Sequence, residues 1–201
     1  FFKNPTIIRP NLQVRMPSFS MLSDNDWNSI IGAFQHMEKH NLAYESSLQV
    51  DTNSSKYKAG IRLHELGACN NCHFYGKTKP IQEPSTWAPN LAMTKERLRP
   101  EWVVEWLRNP QKIMPGTKMP APYLPTSDLL EEDGASDTWG IDLVNINGDT
   151  ELMLEGLRDY MYKIEGQSDI SKLVREYFKT NGYDFKTQDG EDDEDDWDDE
   201  W

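Results

Sequence analysis

Cys69-Asn70-Asn71-Cys72-His73 sets two thiols three residues apart with an imidazole directly after the second. That spacing puts both sulfurs on one short helical turn, at the separation of the two vinyl groups of a haem, and leaves His73 beneath the porphyrin as an iron ligand. The string uses both of the chain's cysteines and one of its four histidines, an accident that composition alone would produce about once in five thousand such sequences. Two other chemistries use the same residue types. A zinc site needs a second ligand pair, and His36, His40 and His64 stand at no finger-like spacing from the cysteines. A dithiol redox pair belongs in a βαβ setting, which the flanking sequence does not offer. The string therefore points to one covalently attached haem c on Cys69 and Cys72, with His73 on its iron.

Helices have to carry these residues. Positions 54–67 predict a helix running into the motif, with Tyr57, Ile61, Leu63, His64 and Leu66 on its faces and Gly67 at its end. Gly60 sits mid-helix, where glycine costs about 1 kcal/mol against alanine, so another helix is expected to approach closely there. Pro100 opens a helix from Glu101 to Arg108 with an apolar stripe of Trp102, Val103, Trp106 and Leu107, and Asn109-Pro110 stops it. A proline-rich irregular stretch, Ile113 to Pro125, and an acidic, glycine-bearing insertion, Ser127 to Asp149, follow. Helical spacing resumes over Thr150–Lys163 through Leu154, Leu157, Tyr160, Met161 and Ile164, and a shorter helix after Ser168 carries Ile170, Leu173, Val174 and Tyr177. Upstream, Ser23 and Asp26 form a capping box for a helix to His40 whose inward stripe is Trp27, Ile30, Ile31, Phe34 and Met37, with His36 and His40 turned to solvent. No run reads as a strand, and the fold class is all-α.

The bulk properties narrow the partners. A chain of 201 residues, 37% hydrophobic with seven tryptophans, holds one or two small domains with a real core. Its net charge of −13 is uneven: ten acids between Asp189 and Glu200, unrelieved by any base, leave the remainder at −3 without them. Such a run repels itself and reads as a disordered solvated tail, with docking onto a basic partner as the sharper alternative. Nucleic acid is not an expected partner. No stretch reaches the roughly eighteen apolar residues of a membrane span, and Phe1-Phe2-Lys3 lacks the plan of a signal peptide. Haem attachment of this kind takes place outside the cytoplasm, so a periplasmic or other extracytoplasmic location is expected, with membrane association through partners. Either a leader has been removed or the sequence starts inside a longer polypeptide.

A haem iron with one histidine takes methionine on its other side when electron transfer rather than oxygen chemistry is the task. Ile113-Met114-Pro115-Gly116-Thr117-Lys118-Met119-Pro120 offers two. With Ala88-Pro89-Asn90-Leu91 and the glycine-bearing helix, residues 54–165 resemble the class I cytochrome c family, whose Pro-Gly-Thr-Lys-Met segment the chain matches. The resemblance implies a few helices wrapped around one covalent haem, Met119 as distal ligand, the Pro89 carbonyl accepting the His73 Nδ1–H, Leu91 packed on the proximal face, and Gly60 crossing the last helix near Tyr160. Met114 competes for the iron, and Met93 reads as packing. Trp87, Trp102 and Trp106 read either as core or as pocket lining, with one indole N–H reaching a propionate. Arg97 and Arg99 offer charge for the same purpose. The insertion at 127–149 departs from the family.

The chain also resembles itself: Asn4-Pro5, Pro10 and Met16-Pro17 parallel Asn109-Pro110, Pro115 and Met119-Pro120, each set followed by a helix. Residues 1–45 thus read as the C-terminal half of another cytochrome c domain, 54–165 as the haem domain, and 166–201 as a short helix and acidic tail. Met16 is then a ligand of a second haem attached elsewhere, or a buried hydrophobe in a remnant. The function implied is an electron-transfer c-type cytochrome, a carrier rather than a catalyst of bond chemistry, exchanging electrons with redox proteins or other subunits of a respiratory or photosynthetic assembly. The alternatives are a haem peroxidase or reductase subunit, which needs an open distal position, and an interaction module docking through its tail.

Overall fold

The computed structural model describes residues 19–38 and 47–166, with Lys172, Leu173, Glu176 and Thr180 beyond them. Met16 with its loop, the rest of the helix expected after Ser168 and the acidic tail lie outside the described residues. The chain divides into two units, Phe1–Ser168 and Asp169–Trp201, and the first holds every helix considered below.

These helices are α1 (Asp24–Glu38), α2 (Ser55–Leu66), α3 (Thr94–Arg97), α4 (Pro100–Arg108), α5 (Pro110–Ile113), α6 (Ser127–Leu130), α7 (Ala135–Trp139), α8 (Ile141–Asn145) and α9 (Thr150–Met161). Short 3₁₀ turns at Cys69–Asn71, Pro84–Thr86 and Leu91–Met93 link them. Among the described residues the only β pairings are the isolated bridges His73–Ala88 and Tyr75–Thr78.

Side-chain caps set the ends. The Ser54 hydroxyl accepts from the Tyr57 N–H and the Asp149 carboxylate from the Leu152 N–H, so α2 and α9 each start on a satisfied donor. Asn109 does the same for α5, so Asn109-Pro110 ends one helix and opens the next rather than only stopping the first.

The core is built where α2 crosses α9. A Cβ on Gly60 would run into the Gly156 carbonyl and lie 2.8 Å from the Leu157 nitrogen, and one on Gly156 would run into the Lys56 carbonyl. The crossing therefore sits at Gly156, one turn before the expected Tyr160, and both helices contribute a glycine to it. Tyr160 instead lies edge-on to His64 and Tyr57, at ring separations of 5.0 and 6.2 Å. Beside the crossing Lys56 Nζ reaches Glu155 at 2.9 Å and the buried Asp159 at 3.1 Å, and Arg158 donates to Asp159 at 2.8 Å. A buried carboxylate with two cations around it is one whose charge is answered locally. Leu63, Leu91, Val103, Val104, Leu107, Leu154 and Leu157 close the interior around this pair.

Two expectations are corrected. The segment 127–149 is not an appended insertion: it folds as α6, α7 and α8 and buries Leu130, Ala135, Leu143 and Ile146 in the core. Its apolar residues are sparse and its helices too short for a 3.6-residue period to register. Arg62 of α2 ties it down, donating to the Thr138 and Trp139 carbonyls at 3.0 and 3.2 Å. The second correction concerns α1. Its capping box forms, Ser23 N–H donating to Asp26 at 2.9 Å and Asp26 N–H to the Ser23 hydroxyl at 3.3 Å. Of the stripe that should face inward, however, only Trp27 is buried; Ile30, Ile31, Phe34 and Met37 are exposed. Periodicity marks an apolar side, and whether the same chain covers it is decided by the rest of the fold.

Two outcomes follow from the crossing. Gly60→Ala should destabilise by about 2–4 kcal/mol in urea melts despite alanine's helix propensity, because backbone has to move to admit the methyl. Gly32→Ala in α1, where a Cβ meets nothing within 4 Å, should be neutral or stabilising by up to about 1 kcal/mol. A further outcome concerns His64, which is buried against Tyr75 and Tyr160. Burial first, and the neighbouring His73 charge second, push its pKa from 6.5 down to about 4. The unfolded chain then holds that proton more readily than the fold does, so its contribution is complete above about pH 6.5 and is lost as pH falls toward 4. Stability should drop by up to about 3 kcal/mol across that window, and His64→Phe should remove this part of the pH dependence.

Candidate functional site

The end of α2 aims the cysteine string. The Gly67 N–H donates to the Leu63 carbonyl at 2.8 Å, and Ala68 takes the left-handed conformation at φ +48° that turns the chain out of the helix. Cys69 opens the 3₁₀ turn, and its carbonyl accepts from the N–H groups of Cys72 and His73 at 3.2 and 2.9 Å, which holds the two thiols and the imidazole on one tight bend. Both cysteines are free thiols and half-buried. Burial pushes the Cys69 thiol up to about 11, so it stays protonated at neutral pH.

The chain then returns beside its own motif. The Ala88 N–H donates to the Cys72 carbonyl at 2.8 Å and the Leu91 N–H to the Phe74 carbonyl at 2.9 Å. Between these two bonds the Pro89 carbonyl is delivered to His73 Nδ1 at 2.8 Å. A carbonyl can only accept, so Nδ1 carries a proton, and in the neutral ring the lone pair is then on Nε2. Leu91 is buried in the core cluster. Asn90, between Pro89 and Leu91, holds the return in place: its amide donates to the Gly76 carbonyl at 2.9 Å and its oxygen accepts from the Gly76 N–H at 3.0 Å and the Ala92 N–H at 3.1 Å. Gly76 adopts φ +57° and has no room for a side chain, because a Cβ would run into the Glu165 carbonyl.

Trp87 is buried edge-on to Phe74 at 5.0 Å, and its indole N–H donates to the Gln82 carbonyl at 2.8 Å. That donor is committed to the backbone, so of the three tryptophans expected to offer an indole N–H, Trp87 already spends its own on Gln82. Trp102 and Trp106, one turn apart on α4, stack at 5.2 Å with planes 13° apart. The Trp106 N–H donates to the Met119 sulfur at 2.9 Å. Met119 is half-buried and packs against the core cluster that includes Leu91, whereas Met114 is 57% exposed. The loop between them is fixed by Gln111, whose side chain contacts the Thr117 carbonyl and accepts from the Gly116 N–H at 3.3 Å, with Gly116 at φ +85°.

Cys69, Cys72 and His73 thus share one tight bend, and Met119 lies half-buried against the core cluster. Among the described residues no three His, Cys, Asp or Glu side chains gather as a metal site, so the zinc reading finds no ligand set there. Pattern reasoning missed Asn90, Gln111 and the Trp106–Met119 bond. The spacing of Trp102 and Trp106 by four could have revealed the stack, while the other two are loop contacts with no periodic signal.

Comparison with known proteins bears on this arrangement. Over 103 residues the chain is 32% identical to cytochrome c oxidase subunit 2 of Bacillus subtilis (strain 168). The match covers 47% of this chain and 28% of that protein, so the chain spans well under a third of the relative's length. No family model and no solved structure matches.

The Trp106–Met119 bond should be visible chemically. Hydrogen peroxide should oxidise exposed Met114 ahead of Met119. Trp106→Phe should raise the Met119 rate several-fold and leave Met114 unchanged, as read by peptide mass spectrometry.

Proposed function

We propose that the chain is an electron-transfer c-type cytochrome acting within a respiratory assembly of the oxidase kind. The observation that carries the reading is the His73 imidazole: it follows a pair of free thiols on one turn, and its Nδ1–H donates to the Pro89 carbonyl at 2.8 Å, which would orient Nε2 as the ligand of a haem iron. Similarity to a subunit of cytochrome c oxidase supports the setting.

The residues fit a haem c. Cys69 and Cys72 would hold it through thioethers, His73 and Met119 would ligate its iron, and Leu91, Trp87 and Trp102 would line it. Bound there, the iron would supply a one-electron couple. The protein's own part is positional. The Pro89 carbonyl fixes the imidazole plane, Trp106 holds the Met119 sulfur, and Asn90 keeps the Pro89 segment from drifting. Leu91 and the neighbouring core exclude water, which favours exchange of electrons over chemistry at an open iron. A sulfur fastened by an indole on a closed loop argues against the peroxidase alternative, which wants that position vacant. Met114, exposed on the outer side of the loop, is the weaker candidate ligand.

The ligand assignment is tested by potentials. Met119→His should keep the iron low-spin and lower its midpoint potential, because a harder nitrogen donor favours the ferric state. Met114→His should change the potential far less. The opposite ranking would move the ligand to Met114, and a high-spin wild-type spectrum would favour the peroxidase reading.

A further inference from the structure

Met119, Trp106 and Trp102 form one continuous run of oxidisable groups. The Trp106 N–H donates to the Met119 sulfur at 2.9 Å, and the Trp106 ring stacks on Trp102 at 5.2 Å with planes 13° apart. Met119 and Trp106 are half-buried, whereas Trp102 is 39% exposed. A sulfur packed against the core is thus joined to water through two indoles in direct contact. Trp87 gives the contrast: it is buried edge-on to Phe74 and its N–H ends on the Gln82 carbonyl, so it has no wet end. Covering Trp106 would ask only for some apolar side chain on the next turn of α4. A second indole there adds a ring that can give up an electron, and its exposure gives the indole proton somewhere to go.

We infer that Trp106 and Trp102 form a relay that carries one-electron oxidation away from the Met119 sulfur to the protein surface. The oxidant is a diffusible one-electron radical. It takes one electron from the thioether and is itself reduced, leaving a sulfur radical cation. Trp106 returns that electron across the N–H···S contact, because a thioether radical cation oxidises an indole. Trp102 then gives one electron to Trp106 through the stack and is the ring left one electron short. Transfer between like rings is driven outward by solvation, since charge is better supported at the exposed end, where the Glu105 carboxylate stands one turn on. The Trp102 N–H proton passes to water, leaving a neutral indolyl radical, and a small thiol restores the ring by giving one hydrogen atom. Two-electron oxidants, which transfer oxygen directly to sulfur, bypass the indoles. The relay goes beyond the electron-carrier reading and does not depend on iron ligation.

The test exposes the full chain, in its oxidised state, to two reagents: radiolytic dibromide radical anion, a one-electron oxidant, and chloramine-T, which oxidises methionine by two electrons. Sulfoxide at Met119 and at exposed Met114 is read by peptide mass spectrometry, with Met114 as the internal reference for general scavenging. Trp102→Phe keeps an aromatic ring on the stack and leaves the Trp106–Met119 bond in place, but removes the oxidisable end. It should raise the Met119-to-Met114 sulfoxide ratio several-fold under dibromide radical and leave that ratio unchanged under chloramine-T. Trp102→Tyr, whose exposed phenol can also lose an electron and a proton, should bring the ratio back toward wild type. A ratio unmoved by Trp102→Phe under the radical would overturn the relay. A ratio that rises equally under both reagents would overturn it too, since Trp102 would then be a cover over the sulfur. The Met119→His shift in potential and this ratio are separate readouts, so either can fail without the other.

Discussion

The contact of Gly60 with Gly156 is the constraint on which the remaining structure rests. α2 leads directly into Cys69, so the direction of α2 is the direction from which the thiols and His73 are presented. α9 fixes that direction, and it does so at backbone distance because neither helix carries a side chain at the crossing. Close packing of this kind has little slack: dispersion is won over many short contacts and lost quickly when the helices part. The ion pairs of Lys56 and Arg158 with Asp159 sit beside the crossing and set the register of one helix on the other. A buried carboxylate left without those cations would be costly, so the pairing discriminates against slipped arrangements more than it adds stability.

From that fixed end the site is assembled by short-range bonds rather than by extended secondary structure. The return segment Ala88–Leu91 pairs with Cys72–Phe74 through two backbone bonds, and between them Pro89 meets His73. Farther along the chain Asn109, Gln111 and Trp106 hold a loop whose one half-buried sulfur is Met119. Loops usually contribute mobile positions. These are fastened at several points each, and in the proposed role such anchoring would leave little to rearrange when charge changes.

The parts of this arrangement that the sequence made legible were those with a repeat or a rigid residue type. The ends of α2, α4 and α9 could be read from Ser54, Pro100 and Asp149 and from apolar spacing, and the glycine in α2 announced a close helix. Its partner lies one turn before Tyr160, at Gly156, because only a second glycine lets the two backbones approach that closely. The stretch 127–149 was read as an insertion because its helices are four or five residues long, too short for a period. Its contribution to the core rests on a few residues such as Leu143, and those acquire meaning only once α2 is in place. The exposure of α1 was illegible for a related reason: amphipathicity describes a helix, and burial describes its surroundings.

A covalent haem on Cys69 and Cys72 is the central claim of the proposed function, and the bond of His73 to the Pro89 carbonyl is the observation that supports it. The most direct measurement is the intact mass of the purified chain, made with haem-attachment machinery present, before and after acid-acetone extraction. The account predicts one haem per chain, retained through extraction by wild type and absent from the Cys69→Ala, Cys72→Ala double variant. A wild-type chain whose mass equals that of the bare polypeptide, or whose haem is stripped by extraction, would contradict it.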